Sequence, residues 1–323
     1  MNELDWIRKI QSWVEAPAKG VAVGIGDDAA VLNPSEASLV LTTDSLVDGV
    51  HFDLAYSSPE DLGHKALAVN LSDIAAMGAR PKYALVNLVL PPGKAENFLP
   101  GFYKGLSAEA QSAVTSIIGG NLSRCEKGLV ICVTAVGEQV GAPRLRSGAR
   151  PRDTIFLWGA VGHAAAGLQA LQSLGLEEAK ALFPTLVQAQ LRPKACLSDA
   201  WLSLGVHASI DVSDGLVSEL WHLARASSVG MELFPQNLDL TALQPLADES
   251  GAAALDWALY GGEDYALLFT AAAGKDEEIA RALPGVRAIG RVHAGEPSVW
   301  ISTEKGHQPL EARGFDHFGD TKA

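Results

Sequence analysis

The stretch Ala-Val-Asn-Leu-Ser-Asp-Ile-Ala-Ala-Met-Gly-Ala-Arg-Pro, residues 68–81, constrains the fold more than any other. It reads as the end of a helix that begins at Ser58-Pro59-Glu60-Asp61. Ser58 suits the N-cap, Pro59 suits the first helical position, and Asp61 can reach back as in a capping box. Gly78 and Pro81 supply the stop. Between them Leu62, Ala66, Val69, Asp73 and Ala76 recur at four-three-four-three spacing, the stripe that a helix turns to the core. Asp73 sits in the middle of that stripe. A carboxylate there must be paired, hydrogen-bonded or bound to a metal, because burying it bare is too costly.

The rest of the chain alternates short apolar runs with helical patterns. Strands are expected at 39–41, 50–52, 83–90, 116–118 and 129–136, then at 154–158, 208–210, 265–270, 286–292 and 298–302. Helical patterns lie between them, with Pro100-Gly101 expected to break the one over 94–113 and with 238–258 mostly helical. The class is therefore α/β or α+β. A chain of 323 residues exceeds what one core usually fills. The basic stretch 141–153, with Gly, Pro and four arginines, reads as the connector between domains 1–140 and 150–323.

Composition excludes several classes. A net charge of −13 argues against a nucleic-acid surface. The three cysteines, Cys125, Cys132 and Cys196, show no metal or disulfide spacing, which suits a reducing cytosol. No signal peptide or membrane-spanning run is visible. A Walker A pattern is absent, and Gly159-Ala-Val-Gly162 between strand and helix reads first as an ordinary turn, though its amides could cradle a phosphate. His64 and His163 read as surface or satisfied core residues.

The aspartates are placed unusually. Asp27 and Asp28 follow Gly-Ile-Gly, Asp44 ends a strand after two threonines, and Asp211 and Asp214 frame a strand-to-helix turn. Glu263 and Asp264 follow Gly-Gly. Each alone is an ordinary turn residue or N-cap. Together they lie where α/β sheets place ligands. If they converge, repulsion governs: two charges ~4 Å apart interact by ~4 kcal/mol at an effective dielectric of ~20. Hard oxygen ligands without a Cys or His set select Mg²⁺, which usually shares its shell with substrate phosphates. The residues alone point to a Mg²⁺-dependent, phosphate-handling enzyme.

These segments, in order, resemble the thiamine-monophosphate kinases of the aminoimidazole-ribonucleotide-synthetase-like superfamily. The matching pieces are Gly24-Ile-Gly-Asp-Asp-Ala-Ala-Val31, Thr42-Thr-Asp-Ser-Leu46, Gly49-Val-His-Phe52, the run 65–79, Gly119-Gly120, Arg146-Ser-Gly148, Asp211-Val-Ser-Asp-Gly-Leu216, Gly261-Gly-Glu-Asp-Tyr265 and Gly314-Phe-Asp-His-Phe318. The resemblance implies ATP-dependent phosphorylation of thiamine monophosphate to thiamine diphosphate, in the cytoplasm, without nucleic acid or membrane. It implies a homodimer in which the N-terminal mixed sheets close a shared barrel. The first domain would bind ATP and Mg²⁺ and dimerise, and the second would complete the nucleotide and substrate site. Asp28, Thr42, Thr43, Asp44, Asp73, Asn121, Asp211 and Asp214 would hold several Mg²⁺ ions, with Asp44, Asp73 and Asp211 central to the transfer. Asp73 would bridge more than one ion. Gly120, Asn121, Arg146 and Ser213 would contact ATP. His51, Glu263 and Phe315 would contact the acceptor.

Departures accompany the resemblance. Asn121 stands where the family usually has an aspartate on a metal, Leu122 removes a hydroxyl, and Ala266 replaces a frequent glutamate. Two rivals stay open: another ATP-dependent enzyme of the superfamily, and a non-catalytic nucleotide or thiamine-phosphate binder, which Asn121 motivates.

Overall fold

A computed structural model describes residues 3–14, 20–23, 31–32, 37–303 and 306–313. It divides into two compact units, Met1–Pro143 and Arg144–Ala323. Asp27, Asp28 and Phe315 lie outside the described residues.

The first unit runs α1 (Glu3–Trp13), β1 (Val21–Val23), β2 (Val31–Leu32), β3 (Leu39–Val47), α2 (Pro59–Ala76), β4 (Ala79–Leu90), α3 (Ala95–Ser112), β5 (Ser116–Arg124) and β6 (Val130–Gln139). Its main sheet has the order β3-β6-β4-β5, with only the β4–β5 pair parallel. The helix α2 forms for the reasons legible in the sequence. Ser58 Oγ accepts from the Asp61 amide at 3.1 Å, and the Asp61 carboxylate accepts from the Ser58 amide at 3.4 Å. Gly78 then takes φ +70°, and the chain turns directly into β4.

The single core-facing stripe expected on α2 is not what forms. The helix is buried nearly all round, with Leu67, Leu71 and Ile74 at zero exposure. The reason is α3, which covers the side away from the sheet. A Cβ on Gly63 would lie 1.9 Å from the Phe102 carbonyl oxygen, and one on Gly105 would lie 1.9 Å from that of Glu60. The two helices therefore touch backbone to backbone. The expected break at Pro100 does not occur either: α3 is continuous through it. One lost hydrogen bond is tolerated in a long helix that is held along its length by such packing.

The second unit runs β7 (Thr154–Trp158), α4 (His163–Leu174), α5 (Leu176–Leu182), α6 (Pro184–Leu191), α7 (Asp199–Ser203), β8 (Ala208–Asp211), α8 (Leu216–Ser227) and β9 (Gly230–Leu233). A 3₁₀ turn at Pro235–Asn237 leads to α9 (Gln244–Ser250), α10 (Ala254–Tyr260), β10 (Leu267–Ala271), α11 (Asp276–Ala282), β11 (Arg287–His293), β12 (Ser298–Thr303) and β13 (Gly306–Pro309). The seven-stranded sheet has the order β13-β12-β9-β11-β7-β10-β8. Only β12 and β9 pair in parallel. Phe156 and Phe269 stand opposite each other on β7 and β10, with ring centroids 5.3 Å apart, and Trp201 packs on Phe269 at 5.0 Å. Arg144, in the basic connector, is buried: its guanidinium lies 3.8 Å from the Trp201 ring centroid and donates to the Trp201 and Leu204 carbonyls.

The class is the mixed α/β expected from the alternation. The expected strand at 50–52 is a turn, with one isolated bridge between Asp48 and Phe52. The strands β9 and β13 were not legible, and 238–258 holds two short helices rather than one long one. No described helix is long and apolar enough to cross a membrane.

Candidate functional site

In the first unit the chemistry gathers where β3 meets the last turns of α2. The strand continues through Thr42, Thr43 and Asp44 rather than ending before them, so its period of two sorts these residues by face. Val40 packs against the Ile74 cluster. Thr42 and Asp44 therefore share the side turned to α2. There the Thr42 hydroxyl donates to Asp73 Oδ2 at 2.5 Å. Asn70, one turn before Asp73 and fully buried, accepts from the Asp44 amide at 3.1 Å and donates to the Ala66 carbonyl at 3.0 Å. The Asp44 carboxyl is hydrogen-bonded to that of Asp73. Burial first, and then the Asp73 charge, push the Asp44 pKa from 3.8 up to about 6. Two neighbouring carboxyls, one keeping its proton up to about pH 6, form a set of hard oxygens that a divalent cation fits.

Two residues expected in the same metal set are not brought to it. Thr43 faces the opposite side of β3, where its hydroxyl donates to the Val133 carbonyl at 3.0 Å and accepts from the Thr134 hydroxyl at 3.1 Å. A role for Thr43 at a cation would fall to its main chain. Asn121 also lies on that opposite face, in the cross-strand row Ser45, Cys132, Asn87, Asn121, and its amide donates to Asn87 Oδ1 at 3.0 Å. The strands β3 and β5 are the two edges of this sheet, three spacings or ~14 Å apart. Gly120 is required beside Asn121, because a Cβ there would lie 1.9 Å from the Val86 carbonyl oxygen.

His51 sits in the turn after β3. Its Nδ1 accepts from the Val47 amide at 3.1 Å, so the neutral tautomer carries its proton on Nε2. The buried Lys65 of α2 donates to the His51 carbonyl at 3.4 Å.

In the second unit the turn after β8 is laced to the segment before β10. The Val212 amide donates to the Ala266 carbonyl, Tyr265 to Val212 at 2.8 Å, and Glu263 to Ser213 at 2.7 Å. Glu263 and Tyr265 both hold left-handed φ, +65° and +53°, which costs about 1–2 kcal/mol each and marks an over-determined loop. Asp211 is buried at the end of β8. The Asp214 amide donates to Glu219 Oε1 at 3.1 Å. Glu219, on α8 and 2% exposed, was not singled out from the sequence. Burial, with Asp211 and Asp214 nearby, pushes its pKa to about 8 against the opposing pull of the Asp214 amide and Arg146. Arg146 is exposed, and its carbonyl accepts from the Ser227 hydroxyl at 3.3 Å.

Asp264 settles the Gly159–Gly162 question. Its carboxylate accepts from the amides of Gly162 at 2.5 Å and Ala164 at 2.9 Å, at the start of α4. The carboxylate occupies those two amides, as the cap of an ordinary turn does. Burial foremost raises the Asp264 pKa to about 7. Glu263 turns the other way, and its Oε2 accepts from Gln190 Nε2 of α6 at 2.9 Å. Among the described residues no group of three or more acidic, His or Cys side chains forms a metal site by itself. Among the described residues Asp44 neighbours Asp73 in one unit, and Asp211 and Asp214 both lie near Glu219 in the other.

Residues 26–139 match the family described as AIR synthase related protein, N-terminal domain. The thiamine-monophosphate kinase of Bacillus subtilis (strain 168) is 38% identical over 333 residues, covering 98% of this chain and 100% of that protein. The crystal structure of thiamine-monophosphate kinase from Stenotrophomonas maltophilia K279a superposes with a TM-score of 0.81 at 36% identity, covering 92% of this chain and 94% of that one. The structure of AaThiL complexed with AMPPCP and TMP gives 0.80 at 36% identity, over 98% of this chain and 96% of that one.

Proposed function

This chain belongs to the thiamine-monophosphate kinase family, and on that premise we propose that it transfers the γ-phosphoryl group of ATP to thiamine monophosphate, giving ADP and thiamine diphosphate. It is a phosphotransferase, as its relatives are. The observation that carries the reading in this chain's own residues is the Asp44–Asp73 carboxyl pair, held by Thr42 and Asn70.

The acceptor phosphate is already ionised, so no general base is needed. One of its oxygens attacks the γ-phosphorus, the bond to the bridging oxygen breaks, and ADP leaves with that electron pair. What the protein must supply is alignment and charge. Asp44, Asp73, Asp211 and Asp214, with Asp28 and the main chain around Thr42 and Thr43, would hold Mg²⁺. Bound cations would supply neutralisation of the ATP triphosphate and the acceptor phosphate. Arg146, exposed beside α8, adds a fixed positive charge for the nucleotide, with Ser213, Gly120 and Asn121 as further contacts. His51 contacts the acceptor phosphate. Glu263 and Phe315 recognise the thiamine rings.

A second copy of the chain completes the proposal. The face of the first unit's sheet away from α2 carries Leu41, 65% exposed, and Leu85, 37% exposed. Two such faces closing together would make a barrel, and sedimentation at micromolar concentration should report a dimer.

The test of function is a product assay with ATP, Mg²⁺ and thiamine monophosphate, run with thiamine as a competing acceptor. Thiamine diphosphate and ADP should form in equal amounts. Tight acceptor binding without product under saturating Mg²⁺ would replace the kinase with the non-catalytic binder.

A further inference from the structure

We infer that Gln190 is a positioning residue for the acceptor, aiming the Glu263 carboxylate so that it meets a cationic or N–H-bearing ring system. This rests on the reading of Glu263 as an acceptor contact.

The argument begins with a polar side chain in an apolar place. Gln190 lies in the last turn of α6 among buried Leu186, Val187 and Leu191, and is itself 3% exposed. Its Nε2 donates to Glu263 Oε2, 2.9 Å away and 73 positions along the chain. The seat of Gln190 is rigid. Gly167 lets α4 approach α6 so closely that a Cβ there would lie 2.1 Å from the Leu186 carbonyl oxygen and 3.2 Å from Gln190 Cβ. The start of α4 is in turn capped by Asp264, the neighbour of Glu263. The main chain of Glu263 is pinned to the Ser213 carbonyl at 2.7 Å in a left-handed conformation. Backbone and side chain of Glu263 are thus each fixed by an independent contact.

The chemistry of the partner matters. An arginine or lysine in place of Gln190 would neutralise Glu263. A carboxamide N–H orients the carboxylate without bringing a positive charge of its own. A free glutamate side chain also loses up to about 2 kcal/mol of rotamer freedom when a ligand fixes it, and Gln190 removes part of that cost before binding. The complementary ligand groups are a ring cation or an amine donor, which the non-reacting end of a thiamine phosphate carries. Binding there aligns the acceptor but does not touch the transferred phosphoryl group. Gln190 should therefore act on acceptor affinity and not on ATP.

The experiment uses Gln190→Met, which keeps length and bulk and removes the donor. The expected result is an acceptor KM raised about tenfold, with the ATP KM and kcat changed less than about twofold. In a Glu263→Ala background the same change should have no further effect on acceptor KM. Circular dichroism and thermal midpoint confirm that the variant is folded. An unchanged acceptor KM, a parallel loss in kcat and ATP KM, or additivity with Glu263→Ala would each overturn the assignment. A wild-type protein that neither binds nor phosphorylates thiamine monophosphate would overturn the proposed function, and this assignment with it.

Discussion

Replacing Asp73 by asparagine separates activity from stability in a way the Asp44–Asp73 contact makes quantitative. In the folded chain Asp44 titrates near 6 rather than 3.8, chiefly through burial and then through Asp73. Between about pH 4 and pH 6 the metal-free folded state therefore binds this proton more tightly than the unfolded chain does. Its stability falls as pH rises through that window and levels off above it. At about 1.4 kcal/mol per pH unit, the loss attributable to Asp44 approaches about 3 kcal/mol. Burial, the largest cause, survives the substitution, so Asp73→Asn should return about 1 kcal/mol at pH 8, or a rise of about 3 °C in Tm. The activity of the same variant should fall at least about 100-fold, the usual cost of losing one group that organises transition-state charge. The assay is denaturant unfolding in EDTA across pH 4–8, repeated with Mg²⁺. Wild type should gain about 2.7 kcal/mol at 100 times its Mg²⁺ dissociation constant, and the variant should gain less. A variant that is less stable than wild type at pH 8 without metal, or that keeps near-normal rate, would refute the reasoning.

Other perturbations follow from the same contacts. Asp264→Ala removes the cap from two α4 amides and should cost about 2–3 kcal/mol in urea unfolding. Gly63→Ala drives a methyl into the Phe102 carbonyl and should destabilise by about 3 kcal/mol or more, measured by thermal midpoint. Asn121→Asp should leave the Mg²⁺ concentration for half-maximal rate unchanged, because residue 121 lies on the sheet face away from Asp44 and Asp73, and a lowered requirement would return it to the metal set. Asn70→Ala should weaken activity through Asp44 while leaving the ATP KM nearly unchanged, since Asn70 fixes the Asp44 main chain from behind.

The legible parts of this protein were those set by local chemistry. The capping box of Ser58 and Asp61, the Gly78 stop, the strand over 154–158 and the mixed α/β class all follow from short-range rules, and the structure has them. The illegible parts depended on neighbours distant in sequence. The helix α2 read as amphipathic because nothing in its own pattern announces α3. Only the mutual fit of Gly63 and Gly105 against the facing backbones turns the helix into a fully buried element. Gln190 and Glu219 gave no signal, since a glutamine or glutamate on a helix is ordinarily a solvated face.

The chain by itself determined that carboxylates stand at the ends and edges of buried elements, that no soft ligands accompany them, and that hard cations and phosphates are the chemistry they fit. Which carboxylates act together was decided only by the tertiary structure. Thr42 and Thr43 are adjacent in sequence, yet the pleat of β3 sends one hydroxyl to Asp73 and the other to Val133. Glu263 and Asp264 are adjacent too, yet left-handed backbone on either side sends one to Gln190 and the other to the start of α4. Residue type and spacing fix what a side chain can do, but strand parity and packing against distant elements fix what it faces.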